Sequence, residues 1–273
     1  MIVINLKGGL GNQMFQYAFA YAFAKKFNSN LLLSTNYFKH DLIRSYQLYN
    51  FNLTYNKLIN QDDLNFLSNN FFLYEEKNFC YSEIKLQKSN IIFDGYFQSE
   101  NYFKDYRKEI LNEFKLSTTL CLKSKKYLNI INNSPIAVSI HIRRGDYISN
   151  EKTNAFHGTC DLNYYNKSIN YILSEKKERN VIFFIFSDDI TWCKENFTFL
   201  SKKIFVQLPN NFEHEELYLM SQCKHNIIAN STFSWWAAWL NENKNKIIIA
   251  PNKWFNDKSM NDKDLIPKEW KKM

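Results

Sequence analysis

The sequence predicts an α/β protein of two facing Rossmann-like domains with a central cleft. In the second half of the chain, short apolar runs alternate with longer segments of helical character. Strands that alternate with helices of this length are typical of a doubly wound parallel sheet. The first half opens with a strand, a glycine turn, a buried helix and a second strand, which is a unit of the same kind. The 273 residues are enough for two ordinary domains, and 45% of them are hydrophobic, so sizeable cores can form.

The N-terminal unit is predicted from the first 34 residues. A buried strand at 2–6 leads into the glycine turn Lys7-Gly-Gly-Leu-Gly-Asn12, the apolar segment 12–27 predicts a buried helix, and 31–34 predict the next strand. Glycines let backbone N–H groups approach a ligand, and a helix N-terminus favours anions. Tight turning alone also explains such a loop. The loop lacks the glycine spacing of a dinucleotide site and the Gly-Lys-Ser/Thr ending of a P-loop, so both are excluded.

The rest of the first half carries fewer signals. Residues 35–90 are polar and irregular, whereas 91–97 predict a strand and 100–114 a helix. The segment Asn132-Asn-Ser-Pro135 is the best linker candidate, because Pro and small polar residues mark turns. We therefore expect an N-terminal domain at 1–133, a C-terminal domain at 134–250, and a tail at 251–273 that could pack back on the N-terminal domain.

The second half predicts a regular alternation of elements. Apolar runs predict strands at 136–142, 181–186, 203–207, 226–229 and 246–250. The segments between them predict helices at 161–177, 189–196, 213–223 and 232–242. In open α/β sheets ligands bind outside the carboxyl ends of the strands, so chemistry is expected in the loops that follow them.

The first of these loops, His141-Ile-Arg-Arg-Gly-Asp-Tyr147, carries two adjacent arginines. A guanidinium is a planar fork that matches phosphate oxygens, so Arg143 and Arg144 predict an anion site. Asp146 can pair with one fork and leave the other free. A surface Arg–Asp pair that caps the strand is the alternative interpretation of this loop taken alone.

Two further loops add carboxylates and hydroxyls at the same edge. Asp188 follows a strand and could accept from a ribose or a purine base, or cap the next helix. Ser231 or Thr232 could help to hold a phosphate at the start of a tryptophan-rich helix, or act as simple N-caps. The tryptophans of that helix are expected in the core. Arginines, hydroxyls and a carboxylate at one sheet edge together predict a nucleoside-diphosphate site.

Charge narrows the classes of partner. The chain has 35 Lys and Arg against 27 Asp and Glu, a net charge of +8, which suits an anionic ligand. No arginine-rich groove with interleaved aromatics stands out, so we expect no nucleic-acid partner. Short basic clusters could contact an anionic membrane surface; they lie at 123–126, 176–177, 202–203 and 271–272.

Cysteine usage and the N-terminus indicate the compartment. The five cysteines are at least 30 residues apart, and neither a CxxC nor an HExxH motif is present, so we expect no metal site and no disulfide framework. A reducing compartment fits this pattern. The segment Met1–Lys7 becomes polar too quickly for a signal peptide, and the apolar stretch 15–27 is shorter than a bilayer span. We expect a soluble, cytoplasmic protein that could lie at the periphery of the inner membrane.

Four motifs together resemble the bacterial α-1,2-fucosyltransferase family. In the family's order they are Lys7-Gly-Gly-Leu-Gly-Asn-Gln-Met-Phe-Gln-Tyr-Ala18, His141-Ile-Arg-Arg-Gly-Asp-Tyr147, Phe186-Ser-Asp-Asp189 and Asn230-Ser-Thr-Phe-Ser-Trp-Trp-Ala-Ala-Trp-Leu240. Secondary landmarks of the family resemble Gly95-Tyr-Phe-Gln-Ser-Glu100 and Phe156-His-Gly158. The matches span residues 7 to 240, and the combination is highly specific.

The resemblance implies a GT-B fold and transfer of L-fucose from GDP-β-L-fucose to the 2-hydroxyl of a galactose, with inversion at the anomeric carbon. It implies no cofactor and no metal, an N-terminal domain on the acceptor side, and a product that is a bacterial glycan such as an O-antigen. The sequence independently agrees about the metal. Its only Asp-x-Asp, Asp262-Lys-Asp264, lies in a lysine-rich tail rather than after a strand.

The resemblance also assigns roles to residues. Arg143 should hold the β-phosphate of GDP, whereas Arg144 could instead brace Asp146 or the fold. His141 and Asp188 resemble positions near the guanine and ribose. Two segments should close on the diphosphate from opposite domains, and the residues that they add to the donor site are Gly9, Gly11, Asn12, Ser231, Thr232, Phe233 and Ser234.

The general base is left open among three residues. Single displacement needs a proton acceptor within hydrogen-bond reach of the acceptor hydroxyl. Asp146, Glu151 and His157 are the candidates, and Glu151 stands where some distantly related fucosyltransferases carry a base. Asp146 is expected to pair with an arginine, which would make it an orienting group.

Two other functions compete with fucosyl transfer. One is a GT-B transferase that uses another nucleotide sugar, and the other is a basic anion-binding protein without turnover. The co-occurring motifs favour fucosyl transfer over both.

Overall fold

The chain divides into two compact units in the computed structural model. The residues that the structure describes are 1–55, 57–85, 90–177 and 180–273, without the side chain of Ser68. Unit 1 comprises Met1–Thr119 with Asn261–Pro267, and unit 2 comprises Leu120–Met260 with Lys268–Met273. Each unit contains one parallel sheet, so the predicted α/β class with two parallel sheets is confirmed.

Unit 1 holds a five-stranded sheet. Its strands are β1 (Ile2–Asn5), β2 (Leu31–Ser34), β3 (Lys57–Ile59), β4 (Phe72–Glu75) and β5 (Ile91–Asp94). They lie in the order β3-β2-β1-β5-β4, and every pair is parallel. The helices are α1 (Leu10–Lys26), α2 (Gln61–Ser68) and α3 (Arg107–Glu113). Strands β3 and β4 and helix α2 lie within 35–90, where the sequence predicted no element.

Helix α1 is buried on nearly all sides, as its apolar composition predicts. It begins before residue 12, because Gly9 is its N-cap and the Gly9 carbonyl accepts the N–H groups of Asn12 and Gln13. Further along, the ring of Phe19 stacks on the ring of Phe97, with centroids 3.8 Å apart. The helix therefore fixes the loop that follows β5.

Two predicted elements of unit 1 are shorter in the structure. The strand expected at 91–97 ends at Asp94, because Gly95 turns the chain and Phe97 has a left-handed φ of 51°. The helix expected at 100–114 is two short 3-10 turns followed by α3. Between those turns the buried residue Phe103 has φ −141° and ψ 0°, which an α-helix does not accommodate.

Unit 2 holds a six-stranded sheet. Its strands are β6 (Ile136–Ile142), β7 (Val181–Ser187), β8 (Lys203–Phe205), β9 (His225–Ile227), β10 (Ile248–Ala250) and β11 (Lys271–Lys272). They lie in the order β11-β10-β9-β6-β7-β8, and every pair is parallel. The helices are α4 (Leu122–Asn133), α5 (Gly145–Ser149), α6 (Glu151–His157), α7 (Leu162–Glu175), α8 (Ile190–Asn196), α9 (Glu213–Gln222) and α10 (Thr232–Trp239). The predicted strands and helices after residue 136 are all present, with ends shifted by a few residues.

Strand β6 is the centre of the second core. Its residues from Ala137 to Ile142 are all buried, as expected for a parallel strand covered on both faces. Val138 and Ile140 belong to a cluster that includes Tyr165 and Ile169 of α7. Because β6 pairs with both β7 and β9, the carboxyl ends of these three strands lie side by side.

The division between the units falls earlier than the expected domain boundary. The linker expected at 132–135 lies at the end of α4, inside unit 2, and unit 2 begins at Leu120. Helix α4 packs against α9, and the N–H of Cys121 donates to the carboxylate of Glu215 at 2.9 Å. These contacts make α4 part of unit 2.

The C-terminal tail is shared between the units. Asn261–Pro267 belongs to unit 1, whereas Lys268–Met273 returns to unit 2, where β11 pairs with β10. No helix in the described ranges is long and apolar enough to cross a bilayer.

Candidate active site

The loops that the sequence singled out in unit 2 meet at one edge of its sheet. Arg143 follows β6 and Asp188 follows β7, while Asn230–Ser234 follows β9. These strands are neighbours and point the same way, so their carboxyl ends present the three loops together. The three loops that were predicted to bind a ligand therefore lie together at one edge of the unit 2 sheet.

The guanidinium of Arg143 is held between two carboxylates. Its Nη2 lies 2.6 Å from Oδ1 of Asp146, and its Nη1 lies 3.0 Å from Oδ2 of Asp188. The side chain is 24% exposed, so the group is partly desolvated and still reachable. A guanidinium has five N–H donors, and these contacts leave donors for a further anion. The predicted pairing of Asp146 with an arginine is confirmed, and the arginine is Arg143.

Arg144 has a different environment from its neighbour. Its Nε donates to Oδ2 of Asp189 at 3.2 Å, and its guanidinium lies over the ring of Trp192, 3.9 Å from the centroid. The alternative in which Arg144 braces the fold is therefore the one that the geometry favours. Asp146, the other partner considered for it, pairs with Arg143 instead.

Asp188 organises the arginine loop. Its Oδ1 accepts the backbone N–H of Arg144 at 2.8 Å, and its Oδ2 pairs with Arg143. A Cβ atom on Gly145 would lie 2.8 Å from Oδ2 of Asp188, so only glycine allows this close approach. The cap of helix α8 is Asp189, whose carboxylate accepts the N–H of Trp192 at 3.1 Å. The helix-cap interpretation of Asp188 is therefore wrong.

His141 offers a buried ring nitrogen without a partner. The residue is 5% exposed, and its Nδ1 makes no hydrogen bond. Burial, with Arg143 adding to it, lowers the pKa of His141 to about 3, so the ring is neutral at ordinary pH. Its ring lies 5.5 Å from that of Phe233. Buried polar atoms are normally satisfied, so an unsatisfied one beside the arginine loop indicates a place for a ligand.

The start of α10 is not capped by a side chain. Ser231 occupies the N-cap position with an extended backbone, but its hydroxyl accepts no N–H of the helix. Simple N-capping by Ser231 is therefore wrong, and the role of this helix start in phosphate binding stays a prediction. The hydroxyl of Ser234 donates back to the carbonyl of Ser231 at 3.3 Å and is fully buried, so this predicted phosphate ligand holds the turn. Trp235 and Trp236 are in the core, as expected.

The three candidate bases have unequal surroundings. Asp146 is engaged by Arg143. Glu151 is exposed in the first turn of α6. His157 stacks on Tyr147, with ring centroids 4.7 Å apart and planes 4° from parallel. Burial lowers the pKa of His157 to about 4, against the opposing effect of Asp146, so its imidazole is a weak proton acceptor.

Asn230 ties the site loops together, a role that the sequence did not indicate. Its side-chain nitrogen donates to the carbonyls of His157 at 2.9 Å, Gly158 at 3.2 Å and Trp254 at 3.1 Å. Its own carbonyl accepts the hydroxyl of Tyr147 at 3.3 Å. Asn230 thus joins the end of α6 to the loop before α10, and such long-range bonds leave no local sequence signal.

Glu216 is a second residue that sequence reasoning missed. It lies in the first turn of α9, after strand β8, which neighbours β7 at the same sheet. Burial raises the pKa of Glu216 to about 7, with the charge of Glu213 and then that of Asp188 adding to the effect, while the N–H of Leu208 opposes it. The charge of Asp188, which pairs with Arg143, is therefore one of the groups that raise the pKa of Glu216.

The glycine loop of unit 1 is built as a tight turn. Gly8 has a left-handed φ of 76°, and a Cβ there would lie 2.7 Å from the side chain of Asn12. The side-chain oxygen of Asn12 accepts the side-chain N–H of Gln98 at 2.9 Å, and Gly11 is buried inside α1. The guanidinium of Arg44 lies 3.8 Å from the position a Gly9 Cβ would take. The role of Gly9, Gly11 and Asn12 in diphosphate binding stays a prediction.

Comparison with known proteins identifies relatives over the whole length. The chain is 34% identical to the alpha-1,2-colitosyltransferase of Escherichia coli, over 99% of this chain and 98% of that protein. It is 36% identical to the O-antigen biosynthesis glycosyltransferase WbnK of Escherichia coli, over 93% and 95%. A more distant relative is the galactoside 2-alpha-L-fucosyltransferase SEC1 of Bos taurus, with 26% identity over 88% of this chain and 64% of that protein.

Solved structures share the fold. The NodZ α-1,6-fucosyltransferase of Bradyrhizobium, soaked with GDP-fucose, matches with a TM-score of 0.53 and 13% identity, over 88% of this chain and 92% of the other. A mutant of Arabidopsis thaliana FUT1 in complex with GDP matches with a TM-score of 0.55 and 12% identity, over 90% and 69%. The fold is accordingly GT-B, as the resemblance implied.

A family model covers the entire chain. The model of glycosyl transferase family 11 matches residues 1–273. Together with the relatives above 30% identity, this match agrees with the motifs that the two units carry at their glycine and arginine loops. The chain is a glycosyltransferase and belongs to glycosyl transferase family 11.

Proposed function

We propose that the chain transfers L-fucose from GDP-β-L-fucose to the 2-hydroxyl of a galactose in a bacterial glycan, with inversion at the anomeric carbon. The observation that supports this most is the guanidinium of Arg143, fixed between Asp146 and Asp188 at the carboxyl edge of the unit 2 sheet. Membership of a glycosyltransferase family and the names of its relatives agree with sugar transfer.

In this proposal Arg143 binds the β-phosphate of the donor. When the bond between the anomeric carbon and the phosphate oxygen breaks, its electron pair stays on the phosphate, and negative charge grows there. A guanidinium already oriented by two carboxylates stabilises that charge without reorganising, so it lowers the barrier rather than only the energy of the bound donor.

The start of α10 and His141 would complete the diphosphate and nucleoside contacts. Backbone N–H groups at an uncapped helix start favour anions, so α10 can share the charge with Arg143. The neutral ring of His141 can donate or accept one hydrogen bond without adding charge, and its buried Nδ1 has no partner within the protein.

Glu216 is the residue we propose for guanine recognition. The Watson–Crick edge of guanine presents two adjacent N–H donors, which a carboxylate can accept together. Asp188, which was expected near the ribose or the base, already accepts from Arg143 and Arg144. Glu216 is half-buried, and the charge of Asp188 is among the causes that raise the pKa of its carboxyl group. Its ionised form is therefore the better candidate for reading the base.

A second donor has one specific observation in its favour. The colitosyltransferase named above matches this chain over nearly its whole length. Colitose is L-fucose without its 3-hydroxyl, so the nucleotide site required for both donors is the same. The choice between them depends on whether a protein group binds that hydroxyl.

The test is turnover with a panel of donors. Purified protein is incubated with GDP-fucose, GDP-colitose or UDP-galactose and with several β-galactosides, and released nucleotide and new saccharide are both measured. We expect the highest kcat/KM with GDP-fucose. A higher value with GDP-colitose would favour the second donor, and turnover restricted to UDP-galactose would contradict the guanosine site itself.

A further inference from the structure

A second polar network lies at the carboxyl edge of the unit 1 sheet, next to the glycine loop, and none of its side chains was assigned to the donor. Lys7 follows β1, and its ammonium group pairs with Oδ1 of Asp94, the last residue of β5, at 2.5 Å. The side-chain nitrogen of Asn5, at the end of β1, donates to Oδ2 of the same carboxylate at 3.1 Å. The two strands are parallel neighbours, so their carboxyl ends bring these three side chains together.

The buried side chain of Gln16 in α1 holds the network in place. Gln16 of α1 is fully buried. Its side-chain oxygen accepts the backbone N–H of Lys7 at 3.0 Å, and its side-chain nitrogen donates to the backbone carbonyl of Gly95 at 3.1 Å. The ammonium of Lys7 also lies over the ring of Tyr96, 5.1 Å from its centroid. The loops after β1 and β5 are therefore locked to each other, and Lys7 and Asp94 are preorganised.

Part of the hydrogen-bonding capacity of this edge is unused. The side-chain oxygen of Asn5 is buried and accepts no hydrogen bond. On the next strand, β2, the chain continues to Asn36, which is 9% exposed and whose side-chain oxygen and nitrogen both lack a partner. Buried amides are normally satisfied, and unsatisfied ones cost free energy. A structural ion pair alone would leave these amides unexplained, whereas a polar ligand would satisfy them.

The charges of the network indicate the class of ligand. Asp94 repels a phosphate or carboxylate, and Lys7 repels a cation, so a neutral ligand with both donors and acceptors fits. Adjacent hydroxyls of a pyranose are such a ligand, because Lys7 can donate to one oxygen while Asp94 accepts from its neighbour. Lys7 and Asp94 have side chains that are 25% and 34% exposed, so both can be reached from solvent.

We infer that the Lys7–Asp94 pair, supported by Asn5, binds hydroxyl groups of the acceptor sugar. The inference rests on the proposed function, because it assigns the acceptor of that reaction. It gives the acceptor a binding surface on unit 1 whose residues the motifs had not assigned to any ligand.

The experiment compares two variants with a matched control. Lys7→Met and Asp94→Asn each remove one charged contact, while Lys57→Met removes a lysine from an exposed ion pair with Asp63 elsewhere in unit 1. The KM for a β-galactoside, kcat, and calorimetric GDP affinity are measured for each. Hydrogen bonds to charged groups predict a rise in acceptor KM of roughly 10- to 100-fold for the first two variants. GDP affinity should stay within about 2-fold, and Lys57→Met should match the parent.

A second readout separates this inference from the proposed function. Binding of methyl β-galactoside and lactose is followed by saturation-transfer difference NMR without any donor. If the parent binds the galactoside but does not transfer fucose, the proposed function fails and loss of binding in Asp94→Asn still supports the inference. Unchanged acceptor KM and unchanged binding in both variants would overturn it, as would the absence of galactoside binding to the parent. Should Asp94→Asn fail to fold, Lys7→Met carries the same comparison.

Discussion

Two adjacent arginines at the carboxyl end of β6 have different partners. The guanidinium of Arg143 lies between Asp146 and Asp188, where it remains reachable from solvent. The guanidinium of Arg144 pairs with Asp189 and stacks over the ring of Trp192. A fork fixed by two carboxylates can meet a developing charge, whereas one that is buried against an indole ring contributes packing and orientation.

Replacing Arg143 should remove catalysis while leaving the fold intact. We expect Arg143→Ala to lower kcat by roughly 10²–10³-fold, because a preorganised donor to the leaving phosphate is lost. Arg143→Lys should recover little, since an ammonium lacks the planar fork. The measurement is turnover of folded protein. Arg144→Ala is the matched control: it should lower the melting temperature, and it should reduce kcat much less than Arg143→Ala does. Near-normal turnover in a folded Arg143→Ala protein contradicts the assignment.

The base candidates separate when donor affinity and kcat are measured together. Asp146→Asn should weaken GDP binding as well as rate, because Arg143 loses one of its two braces. A true base variant loses kcat with donor affinity kept. The pKa of His157 is lowered to about 4, which makes it a weak base. We therefore expect kcat to fall less in His157→Ala than in Glu151→Gln. If Asp146→Asn binds GDP normally and is inactive, Asp146 is the base.

Donor binding should depend on pH through Glu216. Burial raises the pKa of this carboxyl group to about 7 in the free protein, so it is mostly protonated below pH 7 and ionised above. Guanine recognition needs the ionised form, so affinity for GDP-fucose should fall as the pH drops from 8 to about 5.5. His141 and His157 titrate below this window, with pKa values of about 3 and 4. Calorimetry at several pH values tests this; Glu216→Gln should bind more weakly and lose the pH dependence. The same slope in Glu216→Gln would assign it to another group.

At the scale of elements, the site depends on how loops are joined after the strands end. Helix α6 and the loop before α10 are far apart in the chain, and the side chain of Asn230 bonds to the carbonyls that close α6. Gly158 at that closure has a left-handed φ of 64°, and a Cβ there would lie 2.3 Å from Asn256. The stack of His157 on Tyr147 then places an aromatic layer beside Arg143, whose guanidinium lies 5.5 Å from the Tyr147 ring.

Substitution of Asn230 should destabilise unit 2. Asn230→Asp keeps the shape but turns the donor atom into a carboxylate oxygen that faces the carbonyls of His157, Gly158 and Trp254. We expect a loss of about 2–4 kcal/mol in the free energy of unfolding, because a buried charge would lie among acceptors. Urea denaturation measures it, with the exposed Asn133→Asp as control. A change within about 0.5 kcal/mol would show that the bonds carry little stability.

The regular elements of unit 2 and the glycine turn of unit 1 could be predicted, because apolar period and Gly positions are local signals. The strand β6, the pairing of Asp146 with an arginine and the burial of the tryptophans follow from such signals. The pairing of Arg144 with Asp189 could not, because Asp189 is 45 residues from Arg144 and reaches it only through the β6–β7 pairing. The same holds for Asn230 and Glu216, whose roles arise from tertiary contacts and burial.

At the scale of the whole molecule, two parallel sheets each present a polar carboxyl edge of their own. Unit 2 carries the arginine loop. The chain as a whole has a net charge of +8, which suits an anionic ligand such as a nucleotide. Unit 1 carries the neutral Lys7–Asp94 network.

Contact of the basic clusters with an anionic membrane stays a prediction, which vesicle co-sedimentation at low and high salt can test.

Transfer should proceed without a divalent metal. In the proposed function, Arg143 and the start of α10 would supply the positive charge that a metal would otherwise bring to the diphosphate. We expect kcat in excess EDTA to equal that of untreated protein within about 2-fold. Loss of activity that Mn²⁺ restores would contradict this. Buffers freed of metal with a chelating resin and used without EDTA are the control for direct effects of the chelator.

The structure of the product tests the central claim most directly. Parent protein is incubated with GDP-β-L-fucose and lactose, and the saccharide formed is analysed by NMR for its linkage and its anomeric configuration. The account predicts an α-linked fucose on the 2-hydroxyl of the galactose, since a single displacement inverts the β-configured donor. A β-linked fucose, a different linkage position, or release of free fucose as the only product would contradict it.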